Sequence, residues 1–197
     1  FVETTDIQKY HADVKTYEIF ERCETRDNRQ ETENSDSNKT FKALLYADYH
    51  PRKGKRAGAW MTSFKNQYIK NGENHRPHIS VVCNFTKPTA ETLSLLTFNE
   101  VTTLFHEFGH ALHGVLANTQ YPNLSGTSVK WDFVELPSQF LENYCYEPEL
   151  LKTFAKHYQT GEVLPDEKIQ KIEVSKNFME GYQTLRQLSF GILDMSY

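Results

Sequence analysis

The chain has 197 residues, of which 38% are hydrophobic and 24% charged, and a formal net charge of −4. This composition suits one ordinary soluble globular domain, or one and a half small ones. It offers no basic surface for nucleic acid or an anionic membrane, and no apolar run approaches the roughly 20 residues that cross a bilayer.

Phe1-Val2-Glu3-Thr4 has neither a starter methionine nor the basic and apolar segments of a signal peptide. The first strand is expected over residues 11–22, marked by Val14, Tyr17, Ile19 and Phe20, and the second over 41–49, marked by Phe41, Leu44, Leu45 and Tyr46. Between them, residues 27–38 are almost free of apolar side chains and read as a mobile loop tip. Pro51-Arg52-Lys53-Gly54-Lys55-Arg56 reads as a solvated turn in preference to an anion site, with Gly54 supplying the unusual backbone angle. Ala57-Gly58-Ala59-Trp60-Met61 sets small residues beside a large aromatic, which suits a backbone edge open to another chain. His78 to Phe85 is the clearest strand, with Ile79, Val81, Cys83 and Phe85 on one face and Ser80 and Asn84 on the other.

At residue 97 the hydrophobic period changes. Thr97 and Glu100 have capping-box spacing, and Val101, Leu104, Phe105, Phe108, Leu112 and Val115 form the apolar stripe of a helix. Residues 118–128 read as a loop, and two further helical regions are expected over 132–160 and 165–195, parted by Gly161 and Pro165. The chain is still apolar and helix-like from Leu185 to Tyr197, so it is expected to be a piece of a larger protein. Cys23, Cys83 and Cys145 lack the spacing of a thiolate metal site or a disulfide framework, which favours a reducing compartment and a cytoplasmic location. Sequons at Asn38, Asn84 and Asn123 are short enough to arise by chance.

The chemistry is concentrated in His106-Glu107-Phe108-Gly109-His110. Two histidines four apart share one helix face and can hold one metal ion, and the glutamate beside the first reaches the rim of that site as a base. Zinc needs a third protein ligand. Position 116 is Leu116, which excludes a third histidine at the metzincin spacing, whereas Glu135 lies 25 residues beyond His110, within reach of a second helix. Asp132 and Glu135 also fit a capping box, and Asp132 could instead accept a hydrogen bond from a liganding imidazole. His113 reads as a cleft-lining residue, because a fourth protein ligand would close the site to water. Gly109 and Gly114 cost helix stability and so mark a close packing partner, expected to be the helix that carries the third ligand.

Leu104 to His113, Leu124-Ser125-Gly126-Thr127 and Asp132 to Gln139 together resemble the thimet-oligopeptidase family of zinc metallopeptidases, which takes in oligopeptidases and peptidyl-dipeptidases. Gly58 to Met61, Val82 to Phe85 and His157 to Gly161 extend the likeness from about residue 12 to the end. The resemblance implies His106, His110 and Glu135 as ligands of one Zn²⁺ per chain and Glu107 as catalytic base. It also implies an α+β, mainly α, zincin-like catalytic core: a small antiparallel sheet beside the H-E-x-x-H helix, followed by further long helices. Residues 1–95 would form the sheet-containing part and 96–197 the helical zinc-binding part of one catalytic domain. The implied activity is hydrolysis of short oligopeptides, either as an oligoendopeptidase or as a peptidyl-dipeptidase, with the substrate backbone pairing along the sheet edge near Gly58 and Ala59. Family members are longer, and carry downstream a histidine and tyrosines that stabilise the oxyanion. The alternatives are therefore a truncated, catalytically incompetent zinc- and peptide-binding module and a helical structural domain without metal.

Overall fold

The computed structural model describes residues 1–22 and 39–197. The expected loop tip at 27–38, Cys23 and the Asn38 sequon lie outside the described residues. Phe1–Glu142 forms one compact unit and Asn143–Tyr197 a second.

The first unit holds strands β1 (Val2–Thr4), β2 (Lys15–Arg22), β3 (Lys39–Asp48), β4 (Trp60–Lys65), β5 (Tyr68–Lys70), β6 (Glu73–His75) and β7 (His78–Val82). Five of them form a sheet in the order β1-β2-β3-β7-β4, and β5 and β6 form a separate hairpin. The sheet is mixed, which corrects the antiparallel expectation: β3 and β7 run parallel from Leu44↔His78 to Asp48↔Val82. The segment between them contains β4 and the hairpin, long enough for the crossover that a parallel pair needs. Burial of β7 follows from its interior place. Ile79, Ser80, Val81 and Val82 are all buried, as a strand covered on both faces requires. The strand expected from residue 11 starts later, because His11 to Val14 closes a turn in which the Val14 amide donates to the His11 carbonyl (3.2 Å).

The turn at Pro51–Arg56 is less solvated than its composition suggests. Gly54 does take a positive φ, of 83°. The Lys55 side chain, however, is buried, and its Nζ donates to the carbonyls of Asp48 (2.8 Å), His50 (2.8 Å) and Cys83 (2.6 Å) and to Asp48 Oδ1 (2.9 Å). Arg52 grips the same carboxylate with two bonds of 2.6 and 2.8 Å. One ammonium thus ties together the C-terminal ends of the two parallel strands. Burial alone would push the Asp48 carboxyl up, but the bonds from Arg52 and Lys55 outweigh it and hold the pKa at about 2.

Helix α1 (Phe98–Val115) begins as its sequence indicates, with a complete Thr97–Glu100 capping box. Ala111 and Val115 are buried with Ile19, Leu45, Ile79, Val81, Cys83 and Phe85 of the sheet layer, and Leu104 and Phe108 pack against that cluster. Arg76 fixes the far end. Its guanidinium donates to the carbonyls of Val115 (2.5 Å) and Ala117 (3.0 Å) at the helix C-terminus and to Lys42 O of β3 (2.7 Å). A cation there meets the unpaired carbonyls and the negative end of the helix dipole.

Of the helices that follow, four are shorter than expected and the last runs 15 residues. The first unit continues with α2 (Trp131–Val134) and α3 (Leu136–Glu142). The second unit contains a 3-10 turn (Asn143–Tyr146), α4 (Pro148–Phe154), α5 (Asp166–Ser175) and α6 (Glu180–Asp194). Proline marks the start of two of these helices. Pro148 opens α4, where its missing N–H costs nothing, and Pro165 stands at the N-cap of α5. Between α4 and α5 the chain folds back on itself, with Lys156 bridged to Val163 around Gly161 at φ +74°. Leu151, Ile169 and Cys145 are the buried apolar side chains of this unit. Among the described residues no helix is long and apolar enough to cross a membrane.

Candidate metal centre

One turn of α1 separates His106 from His110, and their rings meet edge to face with centroids 4.9 Å apart. The third group arrives from the break between α2 and α3. Glu135 caps the C-terminus of α2, and its Oε2 lies 3.2 Å from His106 Nε2 and 3.2 Å from His110 Nε2. Gly109 makes this approach possible. A Cβ there would lie 2.6 Å from both Pro137 O and Ser138 Cα, so only glycine lets the α3 backbone come this near to α1. Gly114 was expected to serve the same helix but does not. A Cβ on Gly114 would meet Ile79 Cδ1 of β7 at 2.6 Å, and Gly126 of the following loop stacks on its Cα.

Neighbouring groups orient two of the three donors. His106 Nδ1 lies 2.5 Å from Glu142 Oε1 of α3. In a neutral imidazole this partner claims the ring proton, so the Nε2 lone pair faces Glu135. Burial holds His110 below the usual imidazole range, although Glu135 opposes the shift. Glu135 is held below the usual carboxylate range, first by the Ser138 hydroxyl, which donates to its Oε2 at 2.7 Å, and then by the two histidines. An imidazole lone pair and a carboxylate oxygen facing each other at 3.2 Å repel unless a proton or a cation lies between them.

The donor set fits zinc. One donor atom from each of His106, His110 and Glu135 lies within 4.8 Å of the other two. Zinc bonds of roughly 2.0–2.1 Å at a tetrahedral angle set neighbouring donors about 3.3–3.4 Å apart. The two 3.2 Å separations nearly match that edge. Two neutral imidazoles and one carboxylate also make a charge and donor set that Zn²⁺ accepts with a position left for water.

Glu107 lies on the same helix turn but points inward and is only 7% exposed. Burial raises its pKa. His106 lowers it, the neighbouring Glu135 raises it, and a hydrogen bond from the Met61 backbone N–H lowers it. Met61 belongs to β4, the edge strand of the sheet. A carboxyl group on α1 therefore meets the edge strand β4, with burial raising its pKa above the usual carboxylate range. Just before that edge, Asn84 Nδ2 holds the carbonyls of Arg56 (2.9 Å) and Gly58 (2.7 Å).

Other candidates stand apart from the three donors. His113 packs edge to face on Phe133, with centroids 6.2 Å apart, and is not part of the donor cluster. Asp132 is exposed and forms no capping box, the N-cap of α2 being Lys130. The carboxylate that meets the other ring nitrogen of His106 is Glu142, which spacing arguments missed. Its signal was present: Glu135, Ser138 and Glu142 are three and four residues apart and so share one helical face. Arg52 and Lys55 are both engaged by Asp48, so the basic turn does not present them as an anion site.

Comparison with known proteins gives the chain a family. Residues 1–197 match the family model of Peptidase family M3. The chain is 42% identical over 197 residues to a dipeptidyl carboxypeptidase of Escherichia coli, covering 100% of this chain and 26% of that protein. It is 40% identical over 194 residues to oligopeptidase A of Escherichia coli, covering 98% of this chain and 26% of the relative. A probable cytosolic oligopeptidase A of Arabidopsis thaliana is 43% identical over 166 residues, 81% of this chain and 24% of the relative. The chain thus spans about a quarter of the length of these relatives. With its whole length matched and such identities to two kinds of relative, the chain belongs to Peptidase family M3.

Proposed function

We propose that the chain is the metal-binding catalytic part of a zinc-dependent metallopeptidase that hydrolyses peptide bonds in short oligopeptides. The observation that carries this reading is the position of Glu135 Oε2, 3.2 Å from both histidine Nε2 atoms, with the buried Glu107 carboxyl on the same helix turn. His106, His110 and Glu135 would hold one Zn²⁺ per chain. A zinc ion so held supplies acidity to a water molecule and polarises the scissile carbonyl.

The remaining work falls to side chains. Glu107 takes a proton from the attacking water and returns it to the leaving amine nitrogen, and no covalent enzyme intermediate is needed. Its burial favours the protonated form, which helps the second half of that exchange, and the Met61 N–H keeps the carboxylate available for the first. Glu142 holds Nδ1 of the His106 ring, which would leave Nε2 to bind the metal, and the Ser138 hydroxyl orients the Glu135 carboxylate that would bind it too. A peptide backbone lying along the edge strand β4, near Gly58 and Ala59, would come within reach of Glu107. Nearly equal identity to relatives named dipeptidyl carboxypeptidase and oligopeptidase A supports the chemistry they share, cleavage within a short peptide. The rest of the parent chain completes the protein that acts.

The test uses the full-length parent. Elemental analysis should find about one zinc per chain, lost in His106→Ala. Glu107→Gln should keep the zinc and lower kcat/KM on quenched short peptides by about 10²- to 10⁴-fold, the usual contribution of a general base. Undiminished turnover in Glu107→Gln would remove that residue from the mechanism. Zinc binding with no turnover in the parent itself would favour a module that holds peptides without cutting them.

A further inference from the structure

The loop between α1 and α2 carries no metal donor, yet it is held more tightly than a solvent-facing connection requires. Gln67, at the corner between β4 and β5, is fully buried and uses both ends of its amide on this loop and its neighbour. Its Oε1 accepts from the Thr119 amide (2.8 Å), the Thr119 hydroxyl (3.2 Å) and the Ser125 hydroxyl (3.3 Å). Its Nε2 donates to Thr119 O (3.1 Å) and to Asn74 Oδ1 (2.9 Å). Asn74 of β6 in turn accepts from Arg76 (3.2 Å) and donates to Asn118 (3.2 Å). The segment around the β5–β6 hairpin therefore binds the end of α1 through Arg76 and the loop through Gln67.

This strap leads to the third ligand. Ser125 is buried, and the next residue, Gly126, takes φ +58° and lies against Gly114, where even a Cβ would be 3.0 Å from the Gly114 Cα. A turn closed by the Ser128 amide on Ser125 O (3.1 Å) follows, then Lys130 accepts the first bonds of α2, and Glu135 ends that helix. Ser125 and Glu135 are thus joined by one turn and one helix turn, with little slack. The Gly126–Gly114 and Pro137–Gly109 contacts press the two ends of this segment onto the histidine helix.

We propose that Gln67 is a positioning residue for Glu135: by fixing Thr119 and Ser125 it sets where α2 starts, and hence where the third donor meets His106 and His110. The inference rests on the zinc reading given above. A buried amide with both ends satisfied suits this task, because any shift of the loop strands a polar group away from water.

The experiment uses the full-length parent. Zinc affinity is measured by chelator competition, and the visible spectrum of the Co²⁺-loaded protein reports donor geometry. Gln67→Glu keeps the shape but turns two N–H donors into an oxygen facing Asn74 Oδ1 and Thr119 O. It should weaken zinc binding about tenfold, within the range seen when groups behind metal ligands are changed, and should reduce the tetrahedral Co²⁺ bands while far-UV circular dichroism is kept. Should Gln67→Glu not fold, Thr119→Val combined with Ser125→Ala replaces it, with about threefold weakening and the same spectral change expected. Wild-type affinity and an unchanged Co²⁺ spectrum in whichever variant folds would overturn the proposal. Glu135→Gln separates the two levels of argument. If it leaves zinc affinity unchanged, the metal reading itself fails. If it abolishes binding while the strap variants do nothing, only the role of Gln67 fails.

Discussion

Helices α1 and α6 carry similar amphipathic sequences and meet opposite circumstances. α1 is fixed along its length: a capping box holds its first turn, the sheet layer buries Ala111 and Val115, and Arg76 takes its last carbonyls. α6 follows a left-handed Met179 without a side-chain cap, and none of its residues is buried; Leu185 remains 67% and Leu188 56% exposed. A period of 3.6 residues says which face of a helix is apolar, not what covers it. The difference matters for chemistry. Donor atoms on a helix held at both ends and along one face keep their spacing before any ligand arrives, and such preorganisation is what a metal site needs.

The strongest test of that rigidity strikes beneath α1. Lys55→Met removes the ammonium that joins the ends of β3 and β7 and takes the Lys55 donor from the His50 and Cys83 carbonyls and from the Asp48 carboxylate, while Asp48 O keeps the Cys83 N–H (2.9 Å). A loss of about 3–5 kcal/mol is expected, as for other broken buried pairs, and denaturant titration measures it. The same cluster sets an acid limit. The folded-state pKa of Asp48, about 2, lies below the model-compound value of 3.8, so its contribution is complete above pH 3.8 and is lost as pH falls through about 2. That contribution amounts to about 2 kcal/mol, and it should shrink in Lys55→Met, visible as a flatter acid limb of stability against pH.

Next in size is Gly109→Ala, which asks whether the α1–α3 contact is as tight as the geometry says. The new Cβ would lie 2.6 Å from backbone atoms of Pro137 and Ser138, which cannot rotate away. About 3 kcal/mol of destabilisation is expected and, on the zinc reading proposed above, loss of the metal, since α3 must retreat and take Glu135 with it. A variant that keeps both stability and zinc would show that α3 can shift without moving the donor. Glu142→Gln should be milder. It leaves packing intact but exchanges the carboxylate behind His106 for an amide, and zinc affinity should fall about 10- to 100-fold. An unchanged affinity would mean that the His106 ring is oriented by packing alone.

The sequence made parts of this arrangement legible for reasons that can be stated. His106, Glu107 and His110 lie in one helical turn, so spacing alone brings them together, and Thr97 with Glu100 carries its own cap. Both are local features. Glu135 could be named only alongside competing roles, because the turn that returns it depends on contacts made by Gly109, Gly126 and Gln67 with residues far away in the chain. Glu142 was missed although it shares a helix face with Glu135 and Ser138. The parallel pairing of β3 with β7 was missed because alternation of apolar residues marks a strand without naming its neighbour; the run Val81-Val82-Cys83, which breaks the alternation with apolar residues on both faces, was the available hint. Lys55 was read as solvated because a turn of charged residues usually is, and the structure buries it among carbonyls at the end of two strands.

The smallest expected effect draws the contrast between the two helices most sharply, because the substitution is the same and its sign is reversed. Gly191 lies inside α6 with helical backbone, and a Cβ there would meet nothing within 4 Å. Glycine in a helix interior costs roughly 0.5–1 kcal/mol relative to alanine, through the freedom it gives the unfolded chain. Gly191→Ala should therefore stabilise by about that amount, while Gly109→Ala, on a helix better anchored in every respect, destabilises by several times as much. Thermal or urea unfolding of the 197-residue chain measures both. A stabilising Gly191→Ala means that helix propensity governs α6 where no neighbour constrains it. A destabilising one would mean that the face carrying Gly191 is packed against a neighbour, and the contrast with α1 would then be one of partner identity and no longer of exposure.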